Sequence, residues 1–488
     1  MLFNSYEFIF ALLPISFFVY FYLNSKRLTE AGKAFLVFSS LFFYSWWNVA
    51  YLPIILISML FNYVVGVSLS KYQEHTKVSK KTLLTFGIIA NLALLGYFKY
   101  TDFMIDNLNY WIFAEDVPNM NLALPLAISF FTFQQIAYLV DSYRGETREY
   151  NFLNYANFVA FFPQLIAGPI VHHKEMMPQF SNIRNKVINY KNISAGLFIF
   201  SIGLFKKVII ADTFSVWATV GFDTAETLNF LEAWVTSLSY TFQLYYDFSG
   251  YTDMAIGAAL LFNIKLPINF YSPYKAKSIQ DFWRRWHITL SRFLKDYIYI
   301  PLGGNRKNDL RTYNNLMITF ILGGIWHGAG WTFVFWGFLH GTALVIQRVW
   351  EKLGFRMNGI LAWFVTFNFV NIAWVFFRAK EWDDAIKVIN GMFSFDTIVF
   401  PGQLQNKLAF LSPYGIKFDM NWLPNTTIDM WTFLWLFIGF NLILAFKNST
   451  QQLESFKLNY KTVLLSGMAF VIGVLSLNKV SEFLYFNF

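Results

Sequence analysis

Apolar runs close to the ~20 residues a helix needs to cross a bilayer recur along almost the whole of this chain. No soluble fold can absorb so many of them. Of its 488 residues, 56% are hydrophobic, 21% aromatic and only 14% charged, where an average soluble domain carries about a quarter charged residues. The pattern predicts an all-α, polytopic membrane protein forming one domain over residues 1–488, with no room for a large soluble part.

Spans are expected near residues 7–24, 33–50, 52–69, 82–98 and 123–141, then near 193–218 and 231–262. An apolar, glycine-rich stretch from Tyr313 to Trp350 follows, then spans near 359–377, 430–447 and 461–483, about eleven or twelve in all. The first run lacks a basic region in front and has Lys26 and Arg27 behind it, the reverse of a signal peptide, so it reads as a retained span. Lys26, Arg27 and Lys33 flank one loop, and Lys71, Lys77, Lys80 and Lys81 another. The next loop along the chain, 101–116, is acidic, with Asp102, Asp106, Glu115 and Asp116, and Arg144 and Arg148 mark the basic one after it. The positive-inside rule then places the N-terminus outside. The net charge of +9 is read as topogenic, with no nucleic-acid partner implied. Residues 1–150 are thus N-terminal spans, about 151–350 a core, and 351–488 C-terminal spans with an external loop near 378–429.

The core departs from plain spans in three places. Between Phe152 and Val171, Phe162-Pro163 and Gly168-Pro169 break the apolar run, which predicts a re-entrant segment. Tyr245-Tyr-Asp247-Phe-Ser-Gly250-Tyr-Thr-Asp253 sets two carboxylates and Ser249 in an apolar run. A polar kink at Gly250 would explain them, with Asp and Ser satisfying freed backbone groups; alternatively Asp247 or Asp253 orients a catalytic group. Finally, residues 263–312 hold ten of the chain's 38 lysines and arginines, interleaved with Trp, Tyr and Phe. Within it Arg284, His287 and Ser291 follow i, i+3, i+7 and are expected to share one helix face.

The absence of cysteine excludes disulfides, thiolate metal sites and a cysteine nucleophile. There is no His-Glu-x-x-His zinc motif, so no metal is expected, and no Gly-x-Ser-x-Gly elbow or Walker loop. Of six histidines, His75 lies in a charged loop, His172 and His173 at a basic interface, and His340 on an apolar helix where a hydrogen-bonded core role suffices. His287 and His327 bracket the basic aromatic segment, and His327 sits among glycines in an apolar run. A neutral imidazole there can take a proton from a hydroxyl attacking an activated carbonyl. Arginines and lysines near the mouth can hold phosphates of an acyl-carrying donor through charge-assisted hydrogen bonds.

Several motifs in order, Tyr246-Asp-Phe-Ser-Gly-Tyr-Thr-Asp253, Asn269-Phe-Tyr-Ser-Pro273, Phe282-Trp-Arg-Arg-Trp-His-Ile-Thr-Leu-Ser291, Asp296-Tyr-Ile-Tyr-Ile-Pro-Leu-Gly-Gly-Asn305 and Gly324-Ile-Trp-His-Gly328, resemble the membrane-bound O-acyltransferase family. The likeness is to its bacterial branch that O-acetylates alginate and related cell-surface polymers. The resemblance implies helices around a thin, funnel-shaped centre, with His327 as the catalytic histidine and His287 as the second active-site position. It implies acetyl-CoA as donor, an extracytoplasmic partner of the SGNH-hydrolase type, and a polysaccharide acceptor reached across a bacterial inner membrane. Arg284, Arg285, Trp283, Trp286 and Tyr297 are candidate donor contacts, and Asp247, Ser249, Asp253, Ser291 and Trp326 candidate supports. The expected function is acetyl transfer to an alginate-like polysaccharide. D-alanyl transfer to teichoic acid and acetylation of peptidoglycan are alternatives within the family, and a polysaccharide or lipid transporter is the rival from another class.

Overall fold

The chain is almost entirely helical in a computed structural model, which describes residues 1–72, 78–112, 117–147, 151–166, 168–419, 423–477 and 484. His75, Lys77, Glu115, Asp116, Arg148 and the end of the last expected span, 478–483, lie outside the described residues. Among the described residues five helices are long and apolar enough to cross a membrane: Phe8–Ser25, Val49–Ser70, Lys80–Lys99, Tyr190–Thr224 and Gly359–Arg378. Met430–Leu444 and Tyr460–Leu475 are shorter apolar helices. Expected and observed spans agree to within a few residues where punctuation is local. Ser79 caps the third through Thr82 N, while the helix expected from 123 begins at Ile128, after a left-handed Ala127.

Backbone packing separates two compact units, one of Met1–Phe205, Ser249–Asn269 and the chain from Ser449, the other of Lys206–Phe248 and Phe270–Asn448. In the first, buried amides find each other across helices, as an apolar surrounding requires. Asn62 and Asn91 exchange hydrogen bonds of 3.0 and 2.7 Å. Gln135 donates to Ser58 Oγ at 2.8 Å and accepts from the Tyr155 hydroxyl at 2.8 Å. Close helix approach relies on glycine: a Cβ at Gly196 would lie 2.8 Å from the Gly257 carbonyl oxygen. The Pro-broken stretch forms the short helices Phe152–Ala160 and Phe162–Leu165. His173 is buried, its Nδ1 3.2 Å from Asp141 Oδ2.

The second unit holds residues 270–312 of the basic aromatic segment, and the chain departs from expectation at three points. Helix Phe230–Leu261 runs through Gly250, where a break was expected. Arg284, His287 and Ser291 do not share a helix face: the segment folds as Ile279–Trp283 and Ile288–Leu294, with His287 between them in the left-handed region at φ 44°. The stretch from Tyr313 to Trp350, left open by the count of eleven or twelve, is two helices, Asp309–His327 and Trp331–Lys352, separated by Gly328 to Gly330. The supposed loop 378–429 carries the helix Trp382–Phe393, closed by a Glu381/Asp384 capping box, and a parallel pairing of Val399–Pro401 with Lys417–Asp419.

Candidate active site

His327 is the last residue of its helix, and the break that follows positions it. Asn308 caps the other end, its Oδ1 accepting from Arg311 N at 2.9 Å. Glycines bring the next helix against this one, since a Cβ at Gly324 would lie 2.3 Å from the Phe333 carbonyl oxygen and one at Gly337 2.3 Å from that of Phe320. At Gly328 a Cβ would meet the Phe333 ring at 2.2 Å. The imidazole of His327 is thereby walled by aromatics, with ring centroids 5.2 Å from Trp336, 5.0 Å from Phe377 and 4.9 Å from Trp326.

His287 reaches the same place from the short-helix pair. Its ring centre is 6.4 Å from that of His327 and 4.8 Å, edge to face, from Phe248. It is fully buried, and His327 is 4% exposed, so neither imidazole is a surface group. His287 lies outside the long spanning helices, and burial pulls its pKa from 6.5 down to about 3, which keeps the ring neutral. A left-handed conformation at a non-glycine residue costs on the order of 1 kcal/mol or more, and such strain gathers at functional sites. Its carbonyl opens the next helix by accepting from Ser291 N at 3.0 Å.

The remaining candidates divide. Trp326 joins the histidine pair, 6.3 Å from His287. Trp286 stacks on Phe282 and lies 4.9 Å from Trp374. Trp283 donates its indole N–H to His340 Nδ1 at 3.1 Å, which makes His340 the hydrogen-bonded core histidine its surroundings suggested. Arg285 is tied locally, to Asp281 at 2.8 Å and the Tyr271 carbonyl at 3.4 Å, and Arg284 is exposed. Tyr297 packs on Phe293 at 4.9 Å, and Ser291 Oγ turns to the Trp286 carbonyl at 3.4 Å. Ser249 is buried on helix Phe230–Leu261, and Asp253 accepts from Ser449 Oγ at 2.9 Å.

Asp247 has a partner that the sequence reading missed. Lys207 Nζ stands 2.6 Å from Asp247 Oδ1 and 3.1 Å from Asp212 Oδ1, with the lysine and Asp247 side chains 2% exposed. The signal was present, because Lys206-Lys207 interrupts an otherwise apolar span, where an ionisable residue marks function or pairing by default. Among the described residues no three His, Asp or Glu side chains group as metal ligands do.

Helices long and apolar enough to cross a membrane, with two buried imidazoles brought side by side, mark a multi-pass membrane protein whose candidate site could move a proton at an apolar centre. The sequence profile of the membrane-bound O-acyltransferase family matches residues 10–380. The chain belongs to that family and is an acyltransferase of it. It is 49% identical to the peptidoglycan O-acetyltransferase of Helicobacter pylori over 100% of this chain and 98% of that protein. It is 40% identical to the probable alginate O-acetylase AlgI of Pseudomonas aeruginosa over 81% of this chain and 76% of that one. The teichoic acid D-alanyltransferase of Bacillus subtilis is 27% identical over 54% of this chain and 71% of its own length.

Proposed function

We propose that this chain moves an acetyl group from acetyl-CoA across the membrane to hydroxyls of peptidoglycan. The observation that carries this reading is the 49% identity to a peptidoglycan O-acetyltransferase along the whole chain, where the probable alginate O-acetylase matches 81% of it. In the reaction a hydroxyl oxygen bonds to the acetyl carbon, the carbon–sulfur bond breaks, and CoA leaves as its thiol. His327 accepts the hydroxyl proton and returns it to the departing sulfur. His287, neutral by burial, donates its ring N–H to the acetyl oxygen as charge develops there. A ring separation of 6.4 Å supports one small acyl group meeting both. The immediate acceptor is the glycan or a hydroxyl on an extracytoplasmic SGNH-hydrolase-type partner. The basic segment 263–312 faces the cytoplasmic donor in a bacterial inner membrane, with the N-terminus outside.

The test is the base-labile acetate on muropeptides from cells carrying the wild type or His327→Ala. Acetylated muropeptides with the wild type alone are expected. Unmodified peptidoglycan together with a His327-dependent acetylated exopolysaccharide would move the assignment to the alginate-like acceptor, the second reading that the 40% identical relative favours.

A further inference from the structure

Away from the histidine pair, the second unit contains a cleft of about 700 Å³ between helices Trp331–Lys352 and Gly359–Arg378. Its walls are two helical stripes. Leu339, Ala343, Ile346 and Trp350 repeat at three- or four-residue spacing on one helix, and Ala362, Val365 and Phe369 on the other. The first stripe rises about 16 Å, the length of an extended chain rather than of a compact ligand. Ile346 is 60% exposed, Val365 47% and Trp350 41%, so the cleft is open along its side. In a membrane-spanning chain that side meets lipid tails, and a protein partner is not needed to explain the exposure.

One end of the cleft is polar, with Lys277 and Glu351 both among its lining residues. Lys277 lines it, and its Nζ lies where a Cβ on Gly359 would be 3.3 Å away, over the first turn of helix Gly359–Arg378. Asn358 Oδ1 caps one amide of that turn, accepting from Ile360 N at 2.8 Å, and the positive end of the helix dipole favours an anion as the lysine does. Arg356 stands between the lining residues Phe355 and Met357. The carboxylate among the lining residues, Glu351, is engaged by Gln347 Nε2 at 2.7 Å, and Gln347 Oε1 accepts from Gln280 N at 3.0 Å. Trp350 and Phe355 pack 4.9 Å apart at this end, an aromatic pair suited to headgroup depth.

We propose that the cleft is a binding site for one anionic phospholipid, its acyl chain along the two stripes and its phosphate on Lys277 and the Gly359 turn. The lipid comes from the leaflet that the basic segment 263–312 faces. The far wall of the site communicates with the catalytic centre: Phe369 packs on His340 at 5.4 Å, His340 on Trp336 at 4.8 Å, and Trp336 on His327 at 5.2 Å. A chain in the cleft therefore braces the aromatic wall of the His327 ring.

The experiment places the full chain in bilayers of phosphatidylcholine with a minor share of phosphatidylglycerol, extracts it gently and counts retained lipids by native mass spectrometry. Preferential retention of phosphatidylglycerol is expected. Lys277→Gln should cut that preference about fivefold, the worth of one lysine at a lipid headgroup, and Ala362→Phe or Ala343→Phe should expel the lipid by filling the cleft. Equal retention of both lipids by the wild type, or phosphatidylglycerol retention unchanged in all three variants, would overturn the proposal. A readout free of folding defects is quenching in the wild type by chain-brominated lipids. Brominated phosphatidylglycerol should quench fluorescence more than brominated phosphatidylcholine, with the difference lost in Trp350→Phe, and equal quenching contradicts the site.

Discussion

The role proposed for His327 draws on what surrounds it: Trp326, Trp336 and Phe377 pack around the ring at 4.9–5.2 Å and leave it 4% exposed. His327→Ala is expected to lower acyl transfer by about 10²–10⁴-fold, the usual worth of a positioned acid or base, while the protein still inserts and purifies. His287 yields a prediction about pH. Its pKa is about 3 in the folded chain against 6.5 ordinarily, so between those values the unfolded chain takes up a proton that the folded one does not. Its contribution to stability is fully present above pH 6.5 and is lost as pH falls toward 3. The thermal midpoint in detergent should drop across that window, and His287→Gln should flatten the drop; an equal slope in both proteins would contradict a buried neutral ring. At Lys207 the chemistry is pairing. Lys207→Met leaves Asp247 buried without its 2.6 Å partner, which costs about 3–5 kcal/mol, read as loss of folded protein in a thermal or denaturant titration.

At the scale of elements, the site is made by breaks. Most helices were legible because their apolar runs and end signals are local, as with Ser79 before Lys80–Lys99. The two breaks that matter were not. Arg284, His287 and Ser291 keep a helical spacing, and nothing in those residue types announces the left-handed φ of His287, which tertiary packing imposes. The run from Tyr313 to Trp350 is apolar on both sides of Gly328, so composition cannot separate a glycine-rich span from a helical hairpin. The close contact of that hairpin gives a third test. Gly337→Val puts a side chain 2.3 Å or less from the Phe320 carbonyl oxygen, and overpacking of this kind costs about 1–3 kcal/mol. It should lower the thermal midpoint and reduce acyl transfer by moving His327; an unchanged melting curve with full activity would mean the helices separate without consequence. The histidines themselves stand out in the sequence because each interrupts aromatic or apolar surroundings; Lys207 does the same inside the span near 193–218, but its partner Asp247 is 40 residues away, where no local spacing pairs the two.

For the whole molecule, composition dictated a multi-pass helical protein, and the family match over residues 10–380 agrees. Orientation is testable directly, since a chain without cysteine accepts single cysteines as reporters. With the N-terminus outside, a cysteine at Asp106 should react with an impermeant maleimide in intact cells and one at Arg184 only after lysis; the opposite pattern inverts the topology. The acceptor belongs to this scale too, because whole-length similarity rather than any one side chain favours peptidoglycan over an alginate-like polymer. The central claim is that this molecule breaks an acyl thioester at a buried histidine pair. The most direct measurement is release of free CoA from acetyl-CoA by the purified protein in lipid, wild type beside His327→Ala, with and without acceptor, supplied as glycan together with an SGNH-hydrolase-type partner. CoA release that rises with acceptor and disappears in His327→Ala is the predicted result; release that persists undiminished in His327→Ala, or none from the wild type with acceptor present, would contradict the account.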